Sequence, residues 1–250
     1  MISDPWFYAA AVPAMLILGL SKGGFSTIGM LTVPILSLAI SPVQAAAIVL
    51  PILVLSDVVA VVSYRGSFDA MTLKIMLPGA VVGIGIGWWT AAWVTDHEIR
   101  LIVGAISVAF ALNYWFRHRR RLTPHGHNAI TGSFWGAVAG FTSFVSHAGG
   151  PPFQMYVVPL RLDPRIFAGT SVIAFAAINA VKLVPYFFLG QFAVGNLTTS
   201  AALLPVSIPA TLLGIRLVRR FEAQSFYNLI YVAIFLVGAF LVWEGLTAGA

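Results

Sequence analysis

Five residues with the chemistry to hold an ion sit far inside otherwise apolar stretches of this chain: Lys22, Asp57, His147, Asn179 and Lys182. Ionisable groups in such positions are costly and normally face a partner or an aqueous path. Two of them lie in segments that would break a helix, G-L-S-K-G-G-F at 19–25 and G-F-T-S-F-V-S-H-A-G-G-P-P at 140–152. In the first, Ser21, Lys22, Gly23 and Gly24 combine a point charge with glycines that let backbone N–H groups approach a ligand. A helix N-terminus following the turn favours negative charge. In the second, Ser143, Ser146 and His147 supply side-chain donors, and Gly149 and Gly150 open the backbone. Pro151 and Pro152 can start the next half-helix at little cost. Two such half-helix N-termini facing one another would cradle a tetrahedral or pyramidal oxyanion.

Each of these residues also has a purely structural reading. Lys22 could snorkel to the interface, and His147 could be a satisfied helix-end histidine. The serines could bond back to the preceding turn, and the glycines could serve close helix packing. Asp57 could form a structural bridge with Lys22 or Lys182, or take part in proton coupling with His147, whose ordinary pKa lies near neutrality. Asn179 and Lys182 fall on one long apolar span, and Asn113 and Gln154 are weaker candidates for lining a path.

The elements that must position these groups are membrane helices. Of 250 residues, 59% are hydrophobic and only 9% charged, and the mean hydropathy is +0.93. That leaves too little polar surface for a soluble domain. With no cysteine, disulfides, thiol chemistry and Cys-based metal sites drop out. Apolar segments recur at about 6–20, 24–40, 43–64, 73–93, 99–116, 128–147, 151–160, 167–189, 198–217 and 224–247. The first two, and the pair around Gly140–Pro152, are short or interrupted; they read as bent spans or as half-spans that enter and leave on one face. The first segment has no basic leader and is expected to be a retained span.

Basic residues cluster at Arg117–Arg121 and Arg216–Arg220, beside apolar spans, where they set orientation rather than bind nucleic acid. Placing Arg117–Arg121 in the cytoplasm puts Arg65–Lys74, Arg161–Arg165 and Arg216–Arg220 on the same side. The acidic turn Asp96-His97-Glu98 and the Gly190–Thr199 connection fall outside, as do both termini.

The chain also resembles itself. Pro42 pairs with Pro164, Asp57 with Asn179, Tyr64 with Tyr186, Leu77-Pro78 with Leu204-Pro205, and Gly87 with Gly214. With five segments per half, the second half is inverted relative to the first. The expected fold is therefore an all-α membrane protein forming one transport domain over 1–250. Repeat one covers about 6–116, a basic cytoplasmic connection 117–127, and repeat two about 128–247. Their broken helices would meet near the membrane midplane, an arrangement associated with secondary transporters.

At these residues the sequence resembles the TauE/SafE family, called sulfite exporters. The resemblance covers nearly the whole chain and rests on G-L-S-K-G-G-F, on S-H-A-G-G-P-P, and on F-A-G-T (167–170) followed by I-N-A-V-K-L (178–183). It implies movement of a small sulfur-containing anion, such as sulfite, sulfoacetate or a related sulfonate, out of the cytoplasm across the cytoplasmic membrane. Substrate-binding residues would then be Ser21, Lys22, Gly23, Gly24, Ser143, Ser146, His147, Gly149, Gly150 and Asn179, with Asp57, Lys182 and His147 coupling protons or forming an ion pair. Lipid is the surrounding partner, and a homodimer is an assembly to test for. A passive anion channel is the alternative, and a scaffold or an intramembrane enzyme is less favoured, since Asp57 is the lone carboxylate deep in a span. No P-loop signature for ATP-driven pumping, no cofactor motif and no metal motif is present; His125-Gly126-His127 reads as a solvated loop.

Overall fold

A computed structural model describes residue 2 and residues 4–22, 28–91, 93–117, 126–217 and 224–247. The described residues are helical and contain no strand. In chain order the helices are α1 (Pro5–Ser21), α2 (Thr32–Leu36, preceded by a 3-10 turn at Ile28–Leu31), α3 (Pro42–Tyr64), α4 (Ala70–Ala91), α5 (Asp96–Arg117), α6 (Ala129–Ser146), α7 (Gly150–Val157, continued by a 3-10 turn at Val158–Leu160), α8 (Pro164–Phe188), α9 (Val194–Leu217) and α10 (Gln224–Thr247). Five of them are long and apolar enough to cross a bilayer: Pro42–Tyr64, Ala70–Ala91, His97–Phe116, Pro164–Phe188 and Val194–Arg216.

Local chemistry sets where these helices start. Ser41 and Asp163 cap α3 and α8 by accepting from the N–H of Gln44 and Arg165, and a proline occupies the first turn of each. Proline fits there because its missing N–H would be unpaired anyway. Asp4 and Asn128 cap α1 and α6 in the same manner. The acidic segment 96–98, expected as a turn, is the first turn of α5. Thr95 and Glu98 form a reciprocal capping box there, with the Glu98 carboxylate accepting from the Thr95 N–H at 2.7 Å and Thr95 Oγ1 accepting from the Glu98 N–H at 3.3 Å. Several helices begin three or four residues before the apolar stretch does, because their first turns are polar.

Both interrupted pairs are hairpins that return to the face they came from. In the second half, the Asn128 N–H at the start of α6 donates to the Tyr156 hydroxyl near the end of α7, at 3.1 Å. In the first half, the Ile2 N–H donates to Thr199 Oγ1, Arg100 donates to the Ser37 carbonyl, and Gln44 bonds Asn196. These contacts place the start of α1, the end of α2, and the starts of α3, α5 and α9 at one end of the bundle. The opposite end gathers Asp69, His127, Asn128 and Thr170, through the Asp69–His127 contact of 3.4 Å and the bond from the Asp69 N–H to Thr170 Oγ1.

Close helix packing holds each hairpin. α6 lies against α4, and α1 against α9. A Cβ added to Gly83 would come within 1.9 Å of the Ala137 carbonyl oxygen, and one added to Gly140 within 2.1 Å of that of Ala80. Small residues let membrane helices approach backbone to backbone. Gly19 meets Ala210 in the α1–α9 seam in the same way. Outward-facing Trp6, Trp89, Trp93 and Trp243 ring the end that carries the described termini, as aromatic residues do where a membrane helix meets the interface.

Candidate functional site

The two hairpins end beside the middle of α3 and α8, and the polar groups of the apolar spans converge there. Asp57 on α3 accepts from Lys22 Nζ through Oδ1 at 2.5 Å and from Asn179 Nδ2 through Oδ2 at 2.6 Å. All three side chains are buried: Lys22 is 7% exposed, Asp57 3% and Asn179 2%. Lys22 therefore does not snorkel to an interface. Lys182, fully buried, does not reach Asp57. Its ammonium donates to the Ser143 carbonyl at 2.9 Å, to Ser143 Oγ at 3.0 Å and to His147 Nδ1 at 2.6 Å.

His147 is placed by the way α6 ends. Its φ of 54° puts it in the left-handed region, which His tolerates better than most side chains. The N–H groups of His147 and Ala148 turn back to the carbonyls of Ser143 and Thr142, at 3.1 and 3.2 Å, closing the helix in the manner of a Schellman motif. The ring then bridges Lys182 and the Ala46 carbonyl of α3, with Nε2 3.0 Å from that oxygen. A carbonyl only accepts, so Nε2 carries the proton and Nδ1 is the acceptor for Lys182. A second ring proton would confront the ammonium, so the Lys182–His147 pair holds one charge.

A cavity of about 40 Å³ opens at this junction, lined by Ser21, Lys22, Ser143, His147, Gly150 and Asn179 on its polar sides and by Leu53, Val172 and Phe175 on its apolar ones. At the 10–15 Å³ that a buried water needs, it has room for about three waters or one small oxyanion. Its free hydrogen-bonding capacity is mostly donor capacity. Lys22 spends one N–H on Asp57 and has two more. Ser143 Oγ receives a hydrogen bond from Lys182, which leaves its own proton for another acceptor. Gly150 opens α7, and no side chain caps that helix start. The carboxylate of Asp57 is already occupied on both oxygens.

The structure thus gathers Ser21, Lys22, Ser143, His147, Gly150, Asn179, Asp57 and Lys182 in one place. Ser21 lines the cavity while donating to the Leu18 carbonyl at 2.6 Å. Ser146 turns away from it and bonds the Thr142 carbonyl. Gly149 sits in a tight contact, where an added Cβ would lie 2.8 Å from the Ala139 oxygen. Gly23 and Gly24 fall outside the described residues, so α7 supplies the one half-helix start observed at the cavity. Asn113 pairs with the Met155 sulfur, and neither it nor Gln154 is in the cavity wall. Sequence reasoning missed Ser171, a cavity-lining residue. It falls eight residues before Asn179, two helical turns up one face of α8, and that spacing was the available signal.

A search of curated proteins and of solved structures gave no match to the chain. Residues 11–241 match the family described as sulfite exporter TauE/SafE, a span that contains every residue of the site. The chain belongs to the sulfite exporter TauE/SafE family and is an integral membrane protein.

Proposed function

We propose that this protein is a secondary transporter that exports a small sulfur-containing anion across the cytoplasmic membrane. The observation that carries this reading is the donor-rich cavity at the tips of two hairpins, with Lys22 held by Asp57 and Ser143 oriented by Lys182. An anion entering it meets N–H and O–H groups and no unoccupied carboxylate oxygen. The cavity's size favours sulfite over bulkier sulfonates, which would need it to widen.

The helix contacts are those that an inverted repeat would make, and such a repeat fits the same reading. Exchanging the halves turns the α1–α9 contact into α6–α4 and leaves α3–α8 and α5–α10 in place, and all four contacts are observed. The site then lies at the interface of two halves that can rock against each other. Proton coupling would run through the Lys182–His147 pair, which shares one charge, with Asp57 and Lys22 beside it. The basic connections face the cytoplasm in this reading, and both termini face outward.

The test is flux into liposomes containing the purified protein, using sulfite, sulfoacetate, thiosulfate, sulfate and acetate with and without a pH gradient. Sulfite flux driven by the gradient is expected, with Lys22→Ala and His147→Ala inactive though still folded in the membrane, Lys22→Ala at lower thermal stability. Flux of sulfite indifferent to the gradient would make the protein a passive channel. Absence of any sulfur-oxyanion preference would overturn the substrate.

A further inference from the structure

Ser171 is 1% exposed and lies in the cavity wall beside Val172 and Phe175. Buried hydroxyls on membrane helices ordinarily satisfy themselves on a carbonyl one turn back, and many here do; Thr32 and Thr72 are exceptions, buried without a partner and away from the cavity wall. Thr170, the preceding residue, donates to Ile166 at 2.6 Å, Thr142 to Val138 at 2.9 Å, Ser146 to Thr142 at 3.3 Å and Thr211 to Ser207 at 2.9 Å. The Ser171 hydroxyl makes no such bond, and it has no other partner among the described residues. A buried hydroxyl left unpaired forfeits its hydration with nothing in return. Its position on the cavity supplies the missing partner, because a bound anion would accept from it.

We propose that Ser171 is an oxyanion ligand and a determinant of substrate selectivity, an inference that rests on the transport reading above. Three helical elements then present side-chain donors to the same cavity: Lys22 after α1, Ser143 on α6, and Ser171 with Asn179 on α8. Donors from three directions suit a group bearing three equivalent oxygens, as in sulfite or the head of a sulfonate. A carboxylate can also accept several hydrogen bonds, but its two oxygens lie in one plane and leave one of the three directions without an acceptor. A site built to donate discriminates against ligands that cannot accept, because its own polar group is then stranded. Ser171 is therefore a source of preference for pyramidal –SO3 groups over planar carboxylates.

The experiment compares wild type, Ser171→Ala and Ser63→Ala in liposomes, measuring the KM and maximal rate for sulfite and competition by acetate. Ser171→Ala is expected to raise the sulfite KM about tenfold, the loss of one hydrogen bond to a charged ligand, and to make acetate a relatively better competitor. Ser63→Ala removes an exposed hydroxyl that bonds the Val59 carbonyl away from the cavity and should keep the wild-type KM and selectivity. If Ser171→Ala fails to fold, Ser171→Cys keeps the volume with a weaker donor and carries the test. Wild-type KM and selectivity in the Ser171 variant would overturn this inference alone. Failure of the wild type to carry any sulfur oxyanion would overturn the transport reading beneath it.

Discussion

The side chains of Asp57 and Asn179 meet at 2.6 Å, Asn179 Nδ2 donating to Asp57 Oδ2, at corresponding positions of α3 and α8. Under the proposed inverted repeat these positions are equivalent, and equivalent positions touch only where the symmetry axis passes. The two halves differ there in one group. Two aspartates would repel, whereas an aspartate and an asparagine form a hydrogen bond, and the remaining carboxylate oxygen is left to hold Lys22. The asymmetry turns a symmetric contact into a site with an oriented cation.

Removing Lys22 alone should therefore destabilise the protein as well as inactivate it. Lys22→Met leaves a buried carboxylate short of its counter-charge, and breaking such a pair costs about 3–5 kcal/mol. The double variant Lys22→Met/Asp57→Asn removes both charges and should recover most of the lost thermal stability in detergent. Flux should stay lost in both. Recovery of flux in the double variant would show that the ion pair is structural only.

His147 is expected to tolerate Asn better than Val. Its left-handed backbone admits Asn, but a β-branched residue there is strained by about 1–2 kcal/mol. His147→Asn should fold with near wild-type melting and lose gradient-driven flux, because Lys182 loses its ring acceptor. His147→Val should melt lower. Equal melting of the two variants would mean that the end of α6 relaxes out of that conformation.

Asp69, in the connection before α4, gives a pH dependence outside the spans. Burial alone would raise its pKa, but hydrogen bonding from Thr72 and the nearby His127 outweigh it, and the carboxyl lies below its ordinary value. A depressed carboxylate pKa adds stability above the unfolded-state value of about 3.9, and that stability is lost as pH falls through the folded value. Asp69→Asn keeps the acceptor for the Thr72 N–H, since Asn caps a helix as well as Asp, and removes the charge alone, so stability at neutral pH should fall by no more than about 1 kcal/mol. The gap between variant and wild type should close toward pH 3. A gap that persists there would place the effect outside ionisation.

The breaks in the helices were legible because Gly, Pro and Ser clusters interrupt an apolar run in only a few places, and the helices followed because continuous apolar runs of about 20 residues cross hydrocarbon as helices, not as the alternating strands of a barrel. The partners of the buried charges were not. Asp57 had two lysines to choose from in the sequence, and the choice depends on where the α1 and α6 tips come to rest. Lys22 follows α1 directly and reaches Asp57, while Lys182 faces the end of α6 and is consumed by Ser143 and His147. Ser146 looked equivalent to Ser143 by composition, yet the two point differently around the helix, and a carbonyl one turn back claims Ser146. The left-handed turn at His147 had no glycine to announce it.

Orientation can be read directly, because the chain has no native cysteine. Thr198, near the start of α9, and Arg165, in the first turn of α8, are both exposed and lie at opposite ends of the bundle. If the basic connections face the cytoplasm, a membrane-impermeant maleimide should label Thr198→Cys in intact cells and Arg165→Cys only after permeabilisation. The reverse pattern would overturn the proposed orientation. A third position extends the test to the pathway. Gln191 lines a second cavity of about 270 Å³, together with Thr90, Ala46, Phe144 and Tyr186. Phe144 and Tyr186 are locked by a 2.8 Å bond from the Tyr186 hydroxyl to the Phe144 carbonyl, and His147 holds Ala46 from the site side. That layer separates the second cavity from the anion site, so Gln191→Cys should label from outside, and a bulky adduct there should block flux. Labelling of Gln191→Cys only from the cytoplasmic side would remove this cavity from the exit path.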